Sequence, residues 1–142
     1  FLEYRDRGVF ILCRTSNAGA ADFQDLSSPE GEALFRLVAR KAGQWNQYGN
    51  GGLVVGATYP EELRQIRQLC PQMPILIPGV GAQGGDLELA VRYGVDSRGE
   101  KAIINSSRQV IYASQGQDFA QAARRVALRL RDEINRYRGP GE

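Results

Sequence analysis

Four times along the chain, a short apolar run gives way to a Gly- or Ser-rich connection and then to an amphipathic segment. The runs are Val9-Phe10-Ile11-Leu12-Cys13, Gly52-Leu53-Val54-Val55-Gly56, Ile75-Leu76-Ile77 and Ala102-Ile103-Ile104-Asn105. Strands that alternate with helices lie parallel and are joined by right-handed crossovers. Runs this short, apolar on both faces, read as buried parallel strands. The fold class is therefore α/β, and two architectures satisfy it. One is a small doubly wound sheet. The other is four consecutive βα units, half of a TIM (β/α)8 barrel with parallel strands. A whole barrel takes about 250 residues, whereas the chain has 142, read here as a single domain over 1–142.

The helices carry start signals. Ser28 as N-cap with Pro29 behind it predicts a helix over about 29–44, its inner stripe formed by Ala33, Leu34, Leu37, Val38, the Lys41 stem and Trp45. Thr58 and Glu61 have capping-box spacing, which predicts a helix over about 60–69. Asp86 reads as the N-cap or first-turn acid of a third helix that ends near Tyr93. Phe119, Ala123, Val126, Leu130, Ile134 and Tyr137 fall on one face of a last helix over about 118–138.

Several function classes drop out on composition. The chain has no His, so it holds no His-based acid–base pair, triad or His-ligated metal. Cys13 and Cys70 stand alone, which reads as two buried thiols in a reducing compartment, the cytoplasm. No apolar run reaches the ~18 residues of a membrane span. A net charge of +2 singles out no partner. Arg124, Arg125, Arg129, Arg131, Arg136 and Arg138 flank the apolar stripe of the last helix on both sides, interrupted by Asp132 and Glu133. Without an aromatic platform they read as a solvated face rather than a nucleic-acid surface. The chain starts at Phe1 rather than Met, without a signal-peptide pattern, and is expected to be a piece of something longer.

The densest chemistry lies in Pro78-Gly79-Val80-Gly81-Ala82-Gln83-Gly84-Gly85-Asp86, between the third run and its helix. In both architectures ligands sit at the C-terminal ends of the strands. Glycines there allow close backbone approach and aim N–H groups at an anion, and the following helix N-terminus adds its dipole. Gln83 has an amide to donate to a phosphate oxygen. After the next run comes Asn105-Ser106-Ser107-Arg108, and an Arg at a strand end grips phosphate bidentately. In barrels, the loops after strands seven and eight frequently bind phosphate.

These two loops, in this order, resemble the C-terminal half of the orotidine 5′-phosphate decarboxylases. Arg14-Thr15-Ser16-Asn17-Ala18-Gly19-Ala20 resembles that family's loop after strand five. Gly52-Leu53-Val54-Val55-Gly56-Ala57-Thr58 resembles the sixth strand of its bacterial subgroup. The likeness runs over about residues 5–138. It implies a (β/α)8 barrel that converts orotidine monophosphate to UMP and CO2 in pyrimidine biosynthesis, with no metal or cofactor. It implies that Gln83 and Arg108 hold the 5′-phosphate with backbone N–H groups around Gly84 and Ser107, that Ser16 contacts the pyrimidine, and that the loop of Gly79, Gly81 and Gly85 closes over the substrate.

The chain also departs from the family pattern. The family's Asp-x-Lys-x-x-Asp motif, which supplies the proton-donating Lys among carboxylates, belongs to its third strand. Neither Lys41 nor Lys101 has those flanking acids. No catalytic residue is therefore expected here, and the chain alone is expected to be inactive. The alternative is a non-catalytic half-barrel module that binds phosphate or a nucleotide. A half barrel leaves two strand edges and half of the interior open, so a homo-oligomer is expected.

Overall fold

In the computed structural model, which describes residues 1–81 and 84–139, one parallel sheet is formed by β1 (Val9–Arg14), β2 (Gly51–Val55), β3 (Ile75–Ile77) and β4 (Ala102–Ile104). Their spatial order is β1-β2-β3-β4. A doubly wound sheet reverses its strand order at a switch point. This one never reverses, so the chain is four consecutive βα units of barrel type.

The helices are α1 (Ala21–Gln24), α2 (Leu34–Trp45), α3 (Pro60–Leu69), α4 (Leu87–Gly94), α5 (Arg108–Ile111) and α6 (Phe119–Tyr137). Strand side chains alternate between two faces. On the helix-covered face, Leu53, Val55, Ile75 and Ile77 are completely buried. On the other face the register aligns Leu12 with Val54, Val54 with Leu76 and Leu76 with Ile103. Here Phe10, Leu12 and Ile103 are 45%, 60% and 46% exposed. The expected burial on both faces thus holds for one face; the other is the side that a closed barrel would turn inward. Gly52 leaves room there for the Phe10 ring, whose Cε1 lies 2.6 Å from where a Gly52 Cβ would stand.

Several sequence expectations need correcting. The helix expected over 29–44 starts only at Leu34, with Ala33 as its N-cap. Ser28, Pro29 and Gly31 form a turn instead: the Gly31 N–H donates to the Ser28 carbonyl, the Ser28 N–H to the Glu32 carbonyl, and Ser27 bridges Ala33. The buried stripe of α2 is Phe35, Ala39 and Ala42, one step round from the one expected, so Lys41 is exposed and Trp45 is 55% exposed. Thr58 and Glu61 form no capping box, because the N-cap of α3 is Tyr59 and Thr58 Oγ1 is buried without a partner. Asp86 does cap α4, accepting from Leu89 N–H at 2.9 Å. On α6, Ala122 and Leu130 are the buried residues, whereas Phe119 is 63% exposed. Helix α6 packs mainly against α4 and α5.

Both cysteines are free and buried. Cys13 Sγ donates to the Phe35 carbonyl at 3.1 Å and Cys70 Sγ to the Ala39 carbonyl at 3.2 Å, so both dock onto α2. Burial pushes the Cys13 thiol up to about 12 and raises that of Cys70, which keeps both protonated and unreactive. Among the described residues, no helix is long and apolar enough to cross a membrane.

The lower ends of three units are gathered by Arg67, which is 8% exposed. Its Nε donates to Gly94 O at 2.9 Å, where Nη2 also donates. Its Nη1 reaches Met73 O at 2.7 Å, Cys70 O at 3.1 Å and Pro71 O at 3.3 Å, and its Nη2 reaches Lys101 O at 3.1 Å. A planar five-donor fork fits this set of carbonyls; an ammonium does not. Replacing Arg67→Met leaves five buried carbonyls short of a donor. Urea unfolding should show a loss of about 3 kcal/mol or more, with Arg67→Lys recovering less than half of it. An unchanged midpoint for the Met variant would contradict the role given to this guanidinium.

Candidate functional site

The C-terminal ends of the four strands carry the loops that sequence reasoning singled out, and these loops touch in succession. After β1, the Arg14 carbonyl accepts from Gly56 N–H at 2.8 Å. Ser16 lies directly against Gly56: a Cβ there would stand 2.8 Å from both Ser16 N and Ser16 Cβ. Next, the Ala57 N–H donates to the Pro78 carbonyl at 2.8 Å. Gly85 packs on Ala57, where an added Cβ would lie 2.6 Å from Ala57 Cβ and 2.7 Å from Gly79 O. The glycine loop closes on itself through Gly84 N–H to Gly81 O at 2.9 Å and Gly85 N–H to Gly79 O at 3.2 Å.

The loop's glycines serve two different needs. Gly79, Gly81 and Gly84 have φ of +95°, +75° and +81°, the left-handed region that glycine enters freely. Gly85 does not; it is glycine because Ala57 and the Gly79 carbonyl leave no room for a side chain. Its closeness is to the protein's own backbone.

The β1 loop is held from beneath. Arg14, 1% exposed, stacks 3.9 Å from the Tyr59 ring centroid. Its Nη1 stands 2.8 Å from Asp25 Oδ1, without hydrogen-bond alignment, and its Nη2 lies 3.7 Å from Glu62 Oε1. The Thr15 N–H donates to Gln24 Oε1 at 2.9 Å, and Gln24 Nε2 returns a bond to Thr15 Oγ1 at 3.1 Å. The start and end of the Ser16 loop are therefore tied to each other and to α3.

Beside this relay a cleft of about 200 Å³ opens between Pro78–Val80 on one side and Asn105–Gln109 on the other. It brings Gly79 together with Ser107 and Arg108. Arg108 opens α5, is exposed, and makes no ion pair among the described residues. Ser107 Oγ donates to Asn105 Oδ1 at 3.2 Å. Ser16 does not line the cleft; it stands at the other end of the relay, against Gly56. Gln83 lies outside the described residues. An exposed Arg that lines the same cleft as a glycine-rich backbone turn is suited to receive a small anion.

Sequence reasoning missed α5 and with it Gln109. Gln109 lines the cleft, accepts from Ser106 Oγ at 3.2 Å and lies against Gly81. The signal was present: Ser106-x-x-Gln109 has capping-box spacing.

The model of the family described as "Orotidine 5′-phosphate decarboxylase / HUMPS family" matches residues 2–126. An orotidine 5′-phosphate decarboxylase of Dehalococcoides mccartyi is 52% identical over 141 residues, covering 97% of this chain and 52% of the relative. One of Cellvibrio japonicus is 57% identical over 136 residues, covering 95% and 50%. The chain thus spans about half the length of the curated relatives it matches. Among solved structures, Leishmania donovani UMP synthase superposes with a TM-score of 0.82 at 40% identity, over 97% of this chain and 29% of that one. Leishmania donovani OMP decarboxylase gives 0.79 at 37%, over 97% and 51%.

Because Gly85 is packed and Gly84 is open, with nothing within 4 Å of an added Cβ, alanine should separate them. Gly84→Ala carries only left-handed strain, about 1 kcal/mol. Gly85→Ala forces the loop off Ala57 and should cost about 2–3 kcal/mol. Urea unfolding of the two variants gives the order, and equal losses would refute the packing role of Gly85.

Proposed function

The chain belongs to the orotidine 5′-phosphate decarboxylase / HUMPS family, and from that premise we propose that residues 1–142 are the C-terminal half of a decarboxylase barrel that turns orotidine monophosphate into UMP and CO2. The single observation that carries the reading is the cleft joining the glycine loop to the Ser107–Arg108 turn, with an exposed guanidinium at its wall. Arg108 grips the 5′-phosphate, joined by Gln83 and by backbone N–H groups around Gly84 and Ser107. The turn built on Gly79, Gly81 and Gly85 folds over the ester. Ser16, at the far end of the row of touching loops, hydrogen-bonds the pyrimidine.

The chemistry of this half is binding and orientation. Holding a phosphate remote from the reacting carbon supports catalysis by keeping the loop closed and the base in place. The proton donor and its carboxylates belong to an Asp-x-Lys-x-x-Asp motif, which these 142 residues do not contain. The half alone therefore binds nucleotide without turning it over.

The open sheet face decides how the isolated chain behaves. Phe10, Leu12 and Ile103 present an apolar surface between two unpaired strand edges, a poor arrangement to leave in water. Two copies placed face to face bring four strands each and bury both surfaces, so the isolated chain forms a homo-oligomer.

Titration calorimetry with UMP tests the site. The chain should bind UMP, and Arg108→Ala should weaken binding by about 1.5–3 kcal/mol, the range for a hydrogen bond to a charged group. Equal affinity in parent and variant would remove Arg108 from the phosphate site. Light scattering tests the assembly: a dimer or larger species is expected, broken up by Leu12→Glu with Ile103→Glu, and a folded monomeric parent would contradict it.

A further inference from the structure

Gln109 is the second residue of α5 and is half-buried. Its Oε1 accepts from Ser106 Oγ at 3.2 Å. That oxygen also occupies the space into which a side chain on Gly81 would grow, 2.7 Å from the Cβ position, with Cδ at 3.4 Å. Gly81 has φ +75°. The backbone conformation therefore calls for glycine there, and the Gln109 carboxamide takes up the space that a side chain would enter. Gln109 brings the Ser-Arg turn against the glycine loop, and it lines the cleft that the two loops share.

A carboxamide has an accepting oxygen and a nitrogen with two donor hydrogens. Ser106 engages the oxygen, so the donor end is the part left for a ligand. A neutral donor beside an exposed guanidinium suits an anionic ester: it adds a hydrogen bond without adding charge. A carboxylate of the same shape would offer only acceptors and repel the anion.

We infer that Gln109 selects for the phosphate group of the ligand, by fixing the glycine loop against the Ser-Arg turn and donating from its amide nitrogen into the cleft. The inference rests on the nucleotide-binding reading above and extends it to a residue outside the family resemblance.

The test compares UMP with uridine on the parent chain, Gln109→Glu and Gln109→Ala, by calorimetry, with melting curves to establish that each variant is folded. The parent is expected to prefer UMP. Gln109→Glu should cut that preference about tenfold or more, one hydrogen bond's worth at a charged ligand, and Gln109→Ala by a smaller factor, with uridine affinity unchanged in both. If one variant fails to melt cooperatively, the other carries the comparison. A parent that prefers UMP, with variants that keep the preference or lose UMP and uridine equally, overturns the role of Gln109 and leaves the nucleotide reading standing. A parent without any preference for UMP overturns the nucleotide reading, and this inference with it.

Discussion

The Arg67 guanidinium donates to carbonyls of Gly94, Cys70, Pro71, Met73 and Lys101, so the end of α3, the approach to β3, the end of α4 and the start of β4 meet on one buried cation. Lys101 is the one non-glycine residue with positive φ among those described, at +66°. Its carbonyl serves both Arg67 and the Ile75 N–H, which accounts for a conformation that L-residues otherwise avoid. Burial opposes the charge on Arg67, and nearby Asp96 offsets that effect. Asp96 in turn holds the turn ahead of β4 by accepting from the Glu100 and Arg98 N–H groups at 2.8 and 3.0 Å.

With the lower end fixed by a charge and its carbonyls, the upper end is joined differently. Ser16, Gly56, Ala57, Gly85, Gly81 and Gln109 meet through close packing and single backbone bonds. Glycine-mediated contact leaves the strand ends near one another without filling the space above them with side chains. Arg14 works on the helix side of the same end, stacked on Tyr59 between Asp25 and Glu62. Arg108 stands in the cleft wall with no ion pair among the described residues.

The strands were legible because they are apolar runs bounded by Gly, Pro and polar residues. The cap of α4 was legible because Asp86 bonds within its own turn. The start of α2 was not, because Ser28 and Pro29 carry a helix signal that the Ser27–Ala33 bridge and the Gly31 turn override. The Thr58–Glu61 pair failed for a similar reason, as the chain enters α3 one residue later, at Tyr59. In the candidate site, composition marked the glycine loop, but only the folded loop separates the glycines needed for φ from Gly85, needed for packing. The role of Arg67 could not be read at all, since its acceptors come from stretches far apart in the chain and are backbone atoms that carry no sequence signature.

The strand order has a bearing on how the molecule comes into being. Each strand pairs with the next one in the chain, so none of the three ladders among β1–β4 waits for a segment synthesised beyond its neighbour. Folding speed falls as contacting residues lie further apart in sequence, and this arrangement keeps that separation short for parallel strands. Within these residues a nascent chain can therefore add one strand and its covering helix at a time, each pairing onto the strand before it. The apolar inner face, on which Phe10, Leu12 and Ile103 stand, widens with each strand added.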